Sequence, residues 1–275
     1  MIHDDGTIVA SEVYEVGDLL GFTVHQIRLV FARIVADGLF TQHGRGRAAV
    51  LNATSRHELF HGPEVGWLQL AYDQDRGRAP WDRMWHLVSF SIEEDRREAR
   101  NEFRRILLGM GGGAIAGGLY VQALDWTDEV RAAAKQLDME DNIVIATTGT
   151  LEVGNSTNPI ELAQRLWPIS DIATAYDNFV RRYSTTEGMP AMSARSKKNS
   201  PIAQLASSIE MSTEFESCIR QDPLLPPELL PQPWPGTQAR QVLRDRSAQI
   251  VQARRQTGHL ALFATYDRLF DALEK

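Results

Sequence analysis

From Asp222 to Gly236 the chain reads DPLLPPELLPQPWPG, and its prolines exclude regular helix and strand there, because proline donates no N–H and fixes its own φ. Such a stretch cannot support itself. It has to be laid across a surface built by other elements, held through Leu224, Leu225, Leu229, Leu230 and Trp234. The chain has material for that surface, with 43% apolar and 24% charged residues among 275. Its length suits about two or three compact units. Beyond the proline segment, Thr237 is the expected N-cap of a last long helix that breaks near Gly258.

The second constraining stretch is Thr23 to Leu51, TVHQIRLVFARIVADGLFTQHGRGRAAVL. On a helical wheel Val24, Ile27, Val30, Phe31, Ile34 and Val35 share one arc, while His25, Gln26, Arg28, Leu29, Ala32 and Arg33 share the other. One face packs and the other is presented. Thr23 suits the N-cap and Gly38 the left-handed stop. Leu39 to Thr41 then read as a strand, Gln42 to Arg47 as a tight basic tip, and Ala48 to Leu51 as the returning strand. That layout is a winged helix-turn-helix. Its chemistry suits the DNA major groove: Gln26 matches an adenine edge, Arg28 a guanine edge, and Leu29 or Ala32 a thymine methyl. Between residues 23 and 56 five arginines face one acid, Asp37, a local charge of +4 in a chain whose formal charge is −7. The same pattern also describes an ordinary amphipathic helix and hairpin with a solvated basic face.

Ahead of this stretch, Thr7 to Ala10 is a short apolar piece, and Ser11 to Leu20 reads as a helix closed by Gly21. Ser11 is its expected cap; Val13, Val16, Leu19 and Leu20 are its inward side. The residues before it are too few for the further helix that a winged domain ordinarily carries. After the wing, His57, Glu58 and His61 match the H-E-x-x-H zinc pattern. A stable tetrahedral site needs further ligands, and the next histidine is His86, so no metal is expected.

Residues 63–80 are mixed and read as a linker or hairpin. Trp81 and Trp85 then bracket Arg83, and Met84 to Phe90 read as a strand. Glu93 to Leu108 forms a charged amphipathic helix burying Ala99, Phe103, Ile106 and Leu107. GMGGGAIAGG, 109–118, resembles a nucleotide loop in composition only. A dinucleotide loop follows a strand and opens a helix, whereas this one closes a helix and leads into the strand Leu119 to Ala123. With a helix from Asp128 to Leu137 and a strand or hairpin from Asn142 to Val153, the order β, α, β, α, β is ferredoxin-like. Residues 158–275 turn helical: Pro159 to Trp167, Ile169 to Tyr183, a polar insert at Met192 to Ser200, and Ile202 to Arg220. No apolar run is long enough to cross a membrane, and one cysteine, Cys218, excludes an internal disulfide framework and fits a reducing cytoplasm.

The proline segment, continued by Thr237, Gln238, Ala239 and Arg240, closely resembles the DPxLPxxLLPxxWPGxxAR signature of the PaaX family, repressors of phenylacetate catabolism. Further matches fall in the same order: IRxxxxRIVADG (Ile27, Arg28, Arg33, Gly38), the wing GRGR, WHLVSF, Arg100, the glycine strand, and RLWPIxDIxxAYxNF (Arg165, Leu166, Trp167, Tyr176, Phe179). Leu29 stands where a polar residue is commoner in that family, and Ser91 where the first middle strand often ends in aspartate.

The resemblance implies an α+β, multidomain protein: a winged helix-turn-helix at 1–62, a linker at 63–80, a ferredoxin-like domain at 81–157 and a helical C-terminal domain at 158–275. It implies a cytoplasmic homodimeric repressor, without enzymatic activity or cofactor, on a palindromic double-stranded operator and relieved by an acyl-CoA thioester, aryl-acyl in the founding case. The expected DNA contacts are Thr23, His25, Gln26, Arg28, Arg33, Arg45 and Arg47. The expected effector contacts are Trp81, Arg83, Trp85 and Tyr176, where planar apolar walls and a guanidinium fork suit an acyl group and phosphates. The alternative is a family relative whose DNA-binding part has decayed and which binds or converts a metabolite.

Overall fold

A computed structural model describes residues 2–3, 5–55, 63–93, 96–184 and 201–257, and the protein is α+β, with two separate sheets. The expected zinc-pattern residues His57, Glu58 and His61, the insert at 192–200 and the break at Gly258 lie outside the described residues. The chain divides into two compact units.

The first unit contains residues 1–69, 179–215 and 239–275. Its N-terminal part runs β1 (Thr7–Val9), α1 (Ala10–Leu19), α2 (Val24–Ala36), β2 (Phe40–His43) and β3 (Val50–Ala53). The three strands form an antiparallel sheet in the order β1, β3, β2, with Ile8 opposite Leu51 and Gln42 also opposite Leu51. Thr7 to Val9 is thus a strand, visible in the sequence as an apolar run after Asp4, Asp5 and Gly6, where an Asp5 side-chain oxygen accepts from the Thr7 N–H at 3.0 Å. The core is Ile8, Ala10, Tyr14, Ile27, Phe31, Phe40, Ala49 and Leu51, with Tyr14 edge-on to Phe31 at 5.9 Å.

Two expectations change here. The α1 helix begins at Ala10 and takes no cap from Ser11, since the chain passes directly from β1 and the Ala10 N–H bonds the Ala49 carbonyl at 3.0 Å. Residues 63–75, expected as a linker or hairpin, form a helix, α3 (Pro63–Asp75), and not a hairpin; the boundary between the two units falls within it. Leu68, Ala71 and Tyr72 are buried at the i, i+3, i+4 spacing of a packed helix face.

The second unit contains residues 70–178 and 216–238. Its sheet consists of β4 (Trp85–Phe90), β5 (Gly113–Ala116), β6 (Leu119–Gln122) and β7 (Ile143–Thr148), antiparallel throughout in the order β5, β6, β4, β7. Between them run α4 (Arg97–Gly109) and α5 (Thr127–Gln136), which bury Phe103, Ile106 and Leu107, and Val130, Ala133 and Ala134 respectively. Phe90 contacts both Phe103 and Tyr120. The expected order gains one strand, because Gly113 to Ala116 pairs with β6 across Gly117 and Gly118, both at positive φ as a two-residue hairpin turn requires.

The later helices are α6 (Pro159–Leu166), α7 (Ile169–Tyr183), α8 (Pro201–Ile219) and α9 (Pro235–Thr257), and the region 158–275 contributes to both units. The proline segment lies as its composition requires. Leu224, Leu225, Leu229, Leu230 and Trp234 are all buried, and Gln74 Nε2 donates to the Leu224 carbonyl at 2.7 Å. Thr237 is not the cap expected of it: α9 starts at Pro235, a residue suited to the first turn, and the Thr237 hydroxyl donates to Asp75 at 2.6 Å. In the first unit Arg182 pairs with Glu210 and Glu214, and Glu214 also accepts from the Tyr183 hydroxyl at 2.8 Å. Burial, then the Glu214 hydrogen bond, push the Tyr183 phenol above its ordinary range.

Candidate functional site

The helix α2 is fixed at its start by a reciprocal cap. Gln26 Oε1 accepts from the Thr23 N–H at 2.8 Å and from the Thr23 hydroxyl at 2.9 Å, while Thr23 Oγ1 accepts from the Gln26 N–H at 3.2 Å. Donors orphaned at a helix start are satisfied in both directions. Thr23→Ala is expected to lower the stability of this unit by about 1 kcal/mol, measured by chemical denaturation; a change under about 0.3 kcal/mol would show the cap to be dispensable. The cap also redefines Gln26. A bidentate adenine contact needs its side-chain oxygen, and that oxygen is engaged.

Ile27 and Phe31 are the buried residues of α2, with Ile34 and Val35 packed alongside. Val24 and Val30, expected in the core, are 45% and 57% exposed. Val24 lies in the first turn and Val30 at the edge of the apolar arc, beyond the width that α1 and the sheet cover. On the presented side His25, Arg28, Leu29, Ala32 and Arg33 are all exposed. Arg33 lies 3.8 Å from Asp37, with the two side chains 85% and 56% exposed, a surface pair worth little.

The tip of the β2–β3 hairpin turns on Gly44 and Gly46, at φ +79° and +62°. A Cβ at Gly44 would stand 3.0 Å from the Ala48 carbonyl oxygen, so the tight return requires glycine. Arg45 and Arg47 are exposed, and the Arg47 guanidinium lies over the Tyr14 ring at 5.6 Å. The structure thus brings Thr23, His25, Gln26, Arg28, Arg33, Arg45 and Arg47 into one N-terminal part, with Thr23 and Gln26 engaged in capping.

The expected effector residues separate into interior and surface. Trp85 is 1% exposed, stacked on Trp167 at 6.4 Å and edge-on to Trp81 at 5.3 Å. Tyr176 is fully buried, its hydroxyl donating to Asp222 at 2.9 Å and its ring edge-on to Trp234. Both are core residues, and neither walls an open site as expected. Trp81 is half-buried and Arg83 exposed at φ +66°. The Trp81 N–H donates to Glu228, which lines a cleft of about 310 Å³ with Gln74, Gly77, Ala79, Pro80 and Pro227.

The glycine run has a packing explanation. Gly111 sits at φ +78°, where a Cβ would come within 2.9 Å of Pro223, and a Cβ on Gly112 would stand 2.7 Å from the Leu107 carbonyl and the Trp126 ring. The Gly111 carbonyl accepts from Trp167 Nε1 at 2.8 Å and from Gln122 Nε2 at 2.9 Å. Close approach to this backbone is already taken by protein groups.

One chemistry-bearing residue was missed in the sequence. His86 is 5% exposed, with Nε2 3.5 Å from Asp82 and Nδ1 3.6 Å from Asp125, and neither nitrogen hydrogen-bonded. Alternation along WHLVSF places it with Val88 and Phe90, so its burial was legible; the approach of Asp82, four residues earlier, and of Asp125, from another segment, was not. Hydrogen bonds from Thr127 hold the Asp125 carboxyl below its ordinary value. Among the described residues no group of three or more His, Cys, Asp or Glu side chains is arranged to hold a metal ion.

Comparison with curated proteins returned no match. Among solved structures the chain is similar to an uncharacterized protein of Mycobacterium tuberculosis, Rv0674, at 20% identity, with 91% of each chain covered and a TM-score of 0.49. Residues 78–160 match the PaaX protein central Cas2-like domain, and residues 167–259 match the PaaX-like protein C-terminal domain. Those two domains follow one another across the greater part of the sequence, and with them the chain belongs to the PaaX family.

Proposed function

We propose that this protein is a ligand-responsive transcriptional repressor that binds double-stranded DNA through residues 1–62. Family membership supports a transcriptional regulator. The observation that carries the DNA-binding reading is the N-terminal arrangement. A capped helix, α2, packs one side on α1 and a β1, β3, β2 sheet and presents His25, Arg28 and Arg33, followed by a hairpin tip bearing Arg45 and Arg47. That arrangement supports the reading as a winged helix-turn-helix, in which such a helix enters the major groove while the wing meets the backbone. The order β5, β6, β4, β7 with helices after the first and third strands likewise supports reading the second unit's sheet as ferredoxin-like.

Recognition of a palindromic operator calls for a homodimer, whose two-fold axis repeats each half-site contact. The effector proposed is an acyl-CoA thioester, on the strength of the family resemblance. Of the residues expected to meet it, Trp81 and Arg83 are accessible. The cleft that shares Glu228 with Trp81 has about 310 Å³, enough for an acyl group and too little for the coenzyme. No helix among the described residues is long and apolar enough to cross a bilayer.

One experiment tests the reading. In a low-salt shift assay the protein is expected to retain the DNA upstream of its own gene over random duplex, and members of a panel of acyl-CoA thioesters are expected to release it. An inducer acts only through its greater affinity for the DNA-free form, so operator must in turn weaken inducer binding by the same factor. Equal retention of both duplexes would sink the repressor reading; retention unaffected by every thioester would sink the effector.

A further inference from the structure

We propose that α2 reads thymine through its C5-methyl group, with Leu29 as the specificity-determining side chain and Ala32 beside it. This inference rests on the reading of residues 1–62 as the DNA-binding surface, and goes further by assigning the readout.

The core of the unit is taken from the other side of the helix. Ile27 and Phe31 are buried against Tyr14 and the sheet, whereas Leu29 projects from the presented face with 56% of its surface exposed. Ala32, three residues on and one turn along the same face, is exposed as well. Leu29 therefore offers an apolar surface that the fold itself does not use.

What surrounds it selects the occupant. Arg28 and Arg33, one residue before Leu29 and one turn after it on the same helix, are both exposed, so the apolar spot is flanked by positive charge. The buried centre of a protein–protein contact is depleted of charge, whereas a polyanion requires it. The polar side chain best suited to a base edge, Gln26, has its oxygen held by the Thr23 N–H and hydroxyl. Within the major groove the C5-methyl of thymine is the apolar group displayed by a base pair, and it separates T·A from C·G at a position where no hydrogen bond is made. Leucine and alanine carry no hydrogen-bonding side-chain group, and among base edges this methyl is the group they suit best.

The prediction is specific to a single methyl group. Duplexes enriched by the full-length protein from a random-sequence pool are resynthesised with deoxyuridine replacing thymidine at one position at a time. Uracil keeps every hydrogen-bonding group of thymine and lacks the methyl. At one or more positions in a half-site the wild-type protein is expected to bind the uracil duplex about fourfold more weakly, the effect of withholding one buried methyl. Leu29→Ala, at an exposed position with a better helix former, is expected to fold normally and to bind the two duplexes alike.

Wild-type binding that is indifferent to uracil at every position would overturn the proposal, as would a Leu29→Ala variant that keeps the discrimination. A Leu29→Ala variant with unchanged DNA binding and altered sedimentation would also overturn it, by assigning the spot to a protein contact. Failure to enrich any duplex falls on the DNA-binding reading beneath the proposal, and is distinguished from its own failure because enrichment precedes the uracil step.

Discussion

Trp85→Ala is expected to reduce the unfolding free energy of the protein by about 3–5 kcal/mol, the largest single effect foreseen for a core position. The ring is 1% exposed at the start of β4, lies nearly parallel to Trp167 and meets Trp81 edge-on. Removing it leaves a cavity bounded by two other indoles. Those neighbours cannot collapse into it freely, because the Trp167 Nε1–H is tied to the Gly111 carbonyl and the Trp81 Nε1–H donates to the Met84 carbonyl at 3.1 Å. Urea denaturation followed by far-ultraviolet circular dichroism measures the loss, and Trp85→Phe is expected to recover part of it by refilling the space. A loss under about 1 kcal/mol would show that the aromatic cluster repacks. An unchanged stability with weakened thioester binding would return Trp85 to the ligand-binding role that its burial argues against.

That residue illustrates what was legible in the sequence. The pairing of Trp81 and Trp85 around Arg83 signalled an aromatic cluster, but the sequence does not distinguish a wall around a ligand from a wall around the core. Tyr176 poses the same ambiguity: its aromatic body and polar tip serve a binding site or, as here, a buried hydrogen bond to Asp222. The proline segment was the most legible part. Once helix and strand are excluded, its leucines and Trp234 have no way to be satisfied except by burial, and all five are buried. Helix extents on strong periodicity also held, as for Ile169–Tyr183.

The misses share a cause. Ser11 and Thr237 are good capping residues that do not cap, because the neighbouring chain decides where each helix starts: β1 runs directly into α1, and Pro235 opens α9. Val24 and Val30 belong to the apolar arc of α2 but are exposed, since periodicity gives the direction of a face and not the width of what covers it. The strand Gly113–Ala116 was hidden by Gly113 and the glycines that flank it, which propensity counts against a strand. Packing reverses that judgement. At Gly113 a Cβ would stand 2.9 Å from the Trp167 ring, so the bare backbone is what lets the strand lie against it.

The arginines of the first unit should fall into two groups when they are removed one by one. Arg28 projects from α2 toward the side that would meet bases, so Arg28→Ala is expected to cost about 1–3 kcal/mol on the enriched site and much less on random duplex. Arg33 and Arg45 are expected to act on phosphates: each alanine variant should weaken binding to all sequences and lower the salt slope by roughly one. The weak pair between Arg33 and Asp37 does not withhold its guanidinium, because both side chains are largely in water. Arg47 is the informative intermediate. Its guanidinium rests on the Tyr14 ring, so a phosphate contact has to compete with that cation–π contact, and Arg47→Ala is expected to lower the slope by less than Arg45→Ala. Filter binding across a series of salt concentrations measures all four variants on the same two duplexes. Combined replacement of Arg33, Arg45 and Arg47 should reduce the slope by about two to three while leaving sequence preference in place. An unchanged slope in that triple variant would remove these residues from the phosphate contacts, and an Arg28→Ala loss equal on both duplexes would make Arg28 another backbone contact.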